Sequence, residues 1–146
     1  MTAQNDHMKR AIDLSRSNME RGAGGPFGAV IVKDGKVIGE GWNKVTSNND
    51  PTAHAEVEAI REACKNLGSF DLSGAEIYTS CEPCPMCLAA VYWAHISKIF
   101  FANTKKDAAK IQFDDDFIYQ EIPKPIAARK IPMEQMMHDE ALKVFQ

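Results

Sequence analysis

Three of the chain's four cysteines fall within seven residues, Cys81-Glu82-Pro83-Cys84-Pro85-Met86-Cys87. Thiols this clustered do not make a disulfide framework; they suit metal binding in a reducing compartment. Pro85 fits the first position of a helix, so Cys84 and Cys87, at i and i+3, lie together where that helix begins. Unpaired N–H groups and the positive end of the helix dipole favour thiolates there. Zinc prefers nitrogen and thiolate sulfur in a tetrahedron, and His54, 30 residues before Cys84, supplies a third ligand from the start of another helical pattern. The fold must therefore bring two helix starts together.

The rest of the chain alternates between helix and strand periodicity. Helical spacing covers 4–21, with Met8, Ala11, Ile12 and Met19 on one face, and Gly22, Gly24, Gly25 and Pro26 stop it. An apolar run at 27–32, the turn Asp34-Gly35 and a run at 37–42 read as a hairpin, its second strand weakened by Gly39 and Gly41. Residues 43–50 are loop-like. Helix follows over 53–67, with Val57, Ile60, Cys64 and Leu67 towards the core and Gly68 as its stop. Strands are expected at 76–80 and 97–103 on either side of the helix at 85–94, then a short helix at 104–110 and an acidic, aromatic loop at 113–117. Pro123, Pro125 and Pro132 make the next stretch irregular, with 129–133 a fifth, edge strand and 134–145 a last helix. This order predicts one domain over 1–146, an α/β fold of three layers, α/β/α, with a central mixed five-stranded sheet. Helical patterning still runs at Phe145-Gln146, as it would if the end frays or the natural chain continues.

A length of 146 residues suits one domain with a substantial core. The net charge of −3 argues against nucleic acid as a partner and permits a small neutral substrate. The polar N-terminus has no signal-peptide character, and the longest apolar run, 88–94, is too short to cross a bilayer. These features point to a soluble cytoplasmic protein.

Three protein ligands leave a fourth zinc position for water, the arrangement of a catalytic site. Glu56 is the natural proton shuttle beside it. Residues two apart inside a helix diverge by roughly 200°, so His54 and Glu56 converge only near the helix start, where Thr52 could cap. Other readings stand beside this one. Cys81 as a fourth ligand would close the site into a structural zinc module, and a Cys-x-x-Cys pair alone could be redox-active, which leaves His54 unexplained. Cys64, Tyr92 and Trp93 read as core. His7, His95 and His138 read as surface or helix-end residues, and Asp114, Asp115 and Asp116 could form only a solvated loop.

His54-Ala55-Glu56 with the Cys81–Cys87 stretch resembles the cytidine deaminase-like superfamily. Within it, Gly24-Gly25-Pro26-Phe27-Gly28-Ala29-Val30, residues 47–56 and Phe113-Asp114-Asp115-Asp116-Phe117-Ile118-Tyr119 are similar to the small bacterial guanine deaminases, over nearly the whole chain. The resemblance implies one Zn2+ per subunit on His54, Cys84 and Cys87, with Glu56 as proton shuttle. It implies substrate contacts from Asn43 and Phe27, and a second functional carboxylate at Asp115, with Asp114 next. The reaction would convert guanine, a purine base, to xanthine and ammonia. Another amino-heterocycle deaminase or a tRNA adenosine deaminase is the alternative. The resemblance also implies a homodimer that can exchange C-terminal segments. Members of that family continue to a terminal tyrosine that reaches the substrate, a residue this chain does not carry.

Overall fold

The computed structural model describes every residue except Met1, Ala23 and Asp114. It divides into two compact units, Met1–Asp115 and Asp116–Gln146.

In the first unit, α1 (Ala3–Glu20) precedes the hairpin β1 (Gly28–Lys33) and β2 (Lys36–Trp42). Then come α2 (Val45–Asn48), α3 (Ala55–Leu67), β3 (Glu76–Cys81), α4 (Pro85–Trp93), β4 (Lys98–Asn103) and α5 (Lys105–Lys110). Asp34 and Gly35 both take positive φ, 52° and 78°, the geometry a tight two-residue hairpin needs. The sheet order is β2-β1-β3-β4; β1 pairs antiparallel with β2 and β3, and β3 pairs parallel with β4. The start of β1 therefore lies at the same sheet edge as the ends of β2, β3 and β4. From that end of the sheet α4 starts four residues after β3, and α3 starts thirteen residues after β2, beyond α2.

The two sheet faces are filled differently. On one, Ala11 and Leu14 of α1 pack against Val30, Val32 and Tyr78, with Met8, Trp42 and Phe100 closing the layer. On the other, Ala29, Ile31 and Ile77 meet Ala55, Ala59 and Ala63 of α3 and Val91 and Ala94 at the end of α4. Here Gly39 and Gly41 do more than weaken a strand. A Cβ on Gly39 would lie 2.7 Å from the Ala63 nitrogen, and one on Gly41 2.5 Å from the Ala59 nitrogen. The α3 backbone rests directly on β2, which requires glycine below and alanine above.

That contact corrects the expected face of α3. Ala55, Glu56, Ala59 and Ala63 are buried, Ile60 and Cys64 pack at the margin, and Leu67 is 40% exposed. Tyr92 and Trp93, expected in the core, are 73% and 83% exposed; α4 is apolar on all sides, so periodicity could not orient it. The stretch 43–50 contains the one-turn helix α2 rather than only loop.

The second unit holds α6 (Asp116–Glu121), a 3-10 turn (Ile126–Ala128) and α7 (His138–Val144). None of the described residues in it is buried. The expected fifth strand at 129–133 is not formed, and the sheet has four strands among the described residues. Pro132 removes a donor from that stretch, and its other groups bond locally: Arg129 Nη2 donates to Ile122 O (2.8 Å) and the Lys130 amide to Glu121 Oε2 (2.8 Å). The acidic loop is half helix. α6 begins at Asp116, whose carboxylate accepts from Gln120 Nε2 at 2.7 Å. The last helix starts four residues later than expected because Met137 ahead of it is left-handed, with φ 56°. Among the described residues no helix is long and apolar enough to cross a membrane.

Candidate metal centre and active site

His54 is the residue just before α3, extended at φ −71° and ψ 155°, and Glu56 is the second residue inside the helix. Only Ala55, the first helical residue, separates them, and the extended backbone of His54 lets both side chains face one cleft. Thr52 is not the cap expected there. Its hydroxyl and amide both donate to Asp50 Oδ1, at 2.6 and 2.9 Å, and the His54 amide donates to Thr52 O at 2.8 Å. Asp50 thus shapes the turn that presents His54. The Lys44 amide, donating to Ala53 O at 2.9 Å, ties it to the end of β2.

Cys84 takes the matching position before α4, with Pro85 at the first helical position as expected. Its Sγ accepts from the Cys87 amide at 3.5 Å, one of the helix's unpaired N–H groups. Both Cys84 Sγ and Cys87 Sγ lie 3.5 Å from His54 Nδ1. One ligand atom from each of the three residues falls within 4.8 Å of the others, a group that could hold a metal ion. Two sulfurs and an imidazole nitrogen are the donor set zinc favours, and three leave a coordination position open.

Cys81 sits apart from this group. Its Sγ donates to Thr104 O at 3.7 Å, and the residue lines a cavity of about 310 Å³ together with Phe27, Asn103 and Ala108. Burial pushes its thiol up to about 11, so it holds its proton. The Cys84 thiol is drawn down to about 4, chiefly by the hydrogen bond from Cys87 and then by His54. Cys87 moves upward as the donor to Cys84 and through burial, and His54 moves upward through its bond to Cys84. The cluster already favours a thiolate at Cys84 before any cation arrives.

Glu56 is 7% exposed. Burial raises its carboxyl to about 7, with the nearby Cys84 charge adding to the rise. Asp115 also moves upward, mainly by burial and then by the Cys84 charge; its own charge in turn acts on His54. Asp115 Oδ1 is buried without a hydrogen-bond partner. Such an atom is costly unless something arrives to bond it.

Asn43 is buried at the end of β2, its Oδ1 accepting from the Val45 amide at 3.0 Å. Its amide donates to Phe27 O at 3.2 Å, which extends the hairpin by one more pair and sets Asn43 beside Phe27. A Cβ on Gly24 would collide with Asn43 O and lie 2.7 Å from Asn43 Oδ1, so the glycine leaves room for this asparagine. Phe27 meets the edge of Phe113 at a centroid distance of 4.9 Å and an interplanar angle of 81°. The fold thus gathers His54, Cys84 and Cys87, buries Glu56 beside them, pairs Asn43 with Phe27, and sets the Asp115 charge near the cluster. Asp114 lies outside the described residues. Sequence reasoning missed Ser80, whose Oγ accepts from the Gly28 amide at 3.0 Å and pins the Phe27 segment to β3; no sequence signal marks it.

Residues 1–103 match the family described as the cytidine and deoxycytidylate deaminase zinc-binding region. The chain is 57% identical over 139 residues to guanine deaminase of Bacillus subtilis, spanning 95% of this chain and 89% of that one. A crystal structure of guanine deaminase from Bacillus subtilis superposes with a TM-score of 0.94 at 56% identity, covering 97% of this chain and 90% of the other. The tRNA-specific adenosine deaminase of Bacillus subtilis is 41% identical over 101 residues, 69% of this chain and 62% of its own length. A guanine deaminase structure from Nitrosomonas europaea superposes with a TM-score of 0.72 at 32% identity, covering 82% of this chain and 65% of the other. With the His54, Cys84 and Cys87 cluster at the meeting of two helix starts, this chain belongs to the zinc-binding cytidine and deoxycytidylate deaminase family.

Proposed function

We propose that this chain hydrolyses guanine to xanthine and ammonia, working as one deaminase domain over 1–146. The observation that carries the reading is 57% identity to a guanine deaminase across 95% of the chain. His54, Cys84 and Cys87 would hold one zinc ion per subunit. Zinc bound there supplies Lewis acidity that brings a water near deprotonation at neutral pH.

Guanine plus water gives xanthine plus ammonia, and the two protons of the water end on N3 and on the departing amine. Glu56 moves both. Its carboxylate, raised to about 7 by burial, is poised to take a proton and return it. The first goes to N3 as oxygen bonds to C2, and the second to the C2 amino nitrogen as its bond to C2 breaks. Asp115 Oδ1, buried and unpaired, is suited to accept from the amino group and hold it for departure. Asn43 and Phe27 would fix the edge and the face of the base. The reading includes a cytoplasmic homodimer, with exchange of C-terminal segments between subunits.

The test offers zinc-loaded protein guanine, adenine, cytosine and their nucleosides, and measures ammonia release. Guanine is expected fastest, with Glu56→Gln lower by about 10² to 10⁴-fold. No xanthine above the Glu56→Gln background sinks the proposal. Preferred release from adenosine within tRNA would move the chain towards its tRNA-acting relatives, against its net charge of −3.

A further inference from the structure

Glu82 lies between two of the clustered cysteines, yet neither metal binding nor proton transfer uses it. Its amide donates to Asn103 O at 2.8 Å, and its Oε1 accepts from the Lys105 amide at 3.0 Å. These bonds bracket the turn between β4 and α5. Lys105 is the first residue of α5, so a carboxylate oxygen satisfies one of the N–H groups a helix start leaves unpaired. Thr104 and Asp107 bond each other across the same turn as a capping box, leaving α5 stiff though short.

At its other end α5 sets the base-facing loop. The Phe113 amide donates to Ala108 O at 3.0 Å, Phe113 packs its ring against Phe27, and Asp115 follows two residues later. A continuous chain of bonds runs from Glu82 through Lys105 and α5 to Phe113. Glu82 also sits two residues before Cys84, at the entry to the metal helix.

We propose that Glu82 is a positioning residue that sets Phe113 and Asp115 in register with the metal cluster. This rests on the proposed guanine chemistry and adds how its two halves are aligned. Glu82 holds the turn through its bonds to Asn103 and Lys105, and its charge also reaches Asp115.

The experiment compares Glu82→Ala, which removes the acceptor, with Glu82→Gln, which keeps an oxygen able to accept from Lys105. Glu82→Asp, one methylene shorter, replaces the alanine variant if that one does not fold. Zinc content, melting temperature, kcat and KM for guanine, and amide hydrogen exchange are read on each zinc-loaded protein. Expected for Glu82→Ala are one zinc per chain, kcat/KM lower by about tenfold or more, and faster exchange at Lys105 and Phe113. Glu82→Gln should restore kcat/KM to within about threefold and restore protection at both amides. Kinetics of Glu82→Ala within twofold of the parent overturn the proposal. So do zinc loss in step with activity, a glutamine variant as impaired as alanine, or unchanged exchange at Phe113. If the parent itself does not hydrolyse guanine, the functional reading fails, while exchange at Lys105 and Phe113 still decides whether Glu82 holds the loop.

Discussion

His54, Cys84 and Cys87 come from two helix starts seated on a four-stranded sheet, with buried alanines on one side and the motif prolines on the other. Phe113 and Asp115 lie three and five residues beyond the six-residue helix α5, whose buried contribution is a single alanine, Ala108. The first region is fixed by core packing that any member of the fold needs. The second is fixed by a capping box and a few hydrogen bonds. A metal requires donors held close and still, and the core supplies that. In the proposed chemistry, distinguishing one base from another would fall to a loop that can be rebuilt without disturbing the metal. The comparisons divide along the same line: the family match covers residues 1–103 and stops before the loop, whereas the likeness to the Bacillus subtilis guanine deaminase continues through it.

If the regions are separable, damage to each should have its own signature. The largest effect is expected for His54→Ala. It should lose stoichiometric zinc and fall below about one-thousandth of the parent rate, measured by metal analysis and ammonia release. Retained zinc would mean that the three residues are not the ligand set. Asp115→Asn should keep one zinc per chain and an unchanged melting temperature while kcat/KM for guanine drops by about 10²-fold. Zinc loss in that variant would join the two regions into one. The smallest effect is expected for Cys81→Ser, because a hydroxyl can still donate to Thr104 O. Zinc content and rate should stay within about twofold and stability within about 1 kcal/mol, read by metal analysis, kinetics and denaturant melting. Loss of zinc would instead make Cys81 a fourth ligand and the site a closed one.

The metal half was legible in the sequence because each of its two short motifs is local, though 30 residues separate His54 from Cys84. Cys84, Pro85 and Cys87 carry their geometry in their spacing, and His54 and Glu56 could converge only at a helix start. The hairpin was legible for the same reason, through Asp34-Gly35. What escaped depends on contacts between distant segments. The alanine face of α3 makes sense only once Gly39 and Gly41 lie beneath it, and neither segment announces the other. Tyr92 and Trp93 are apolar by composition and exposed by position. The stretch 129–133 carries an edge strand's composition, but its backbone and Arg129 bond within their own segment. Phe113 was read as part of a motif, whereas its edge contact with Phe27 required both ends of a long separation to be in place.

The seat of α3 on β2 has a consequence for how this protein can vary. Two backbones in contact leave no side-chain layer to absorb change, so a methyl group at Gly39 or Gly41 would lift the helix as a body. His54 and Glu56 ride at the end of that helix, and the lift would carry them away from Cys84 and Cys87 together. Two residues with no functional group at all thus set the tolerance of the metal centre. Drift at those positions would register as lost chemistry before it registered as lost fold.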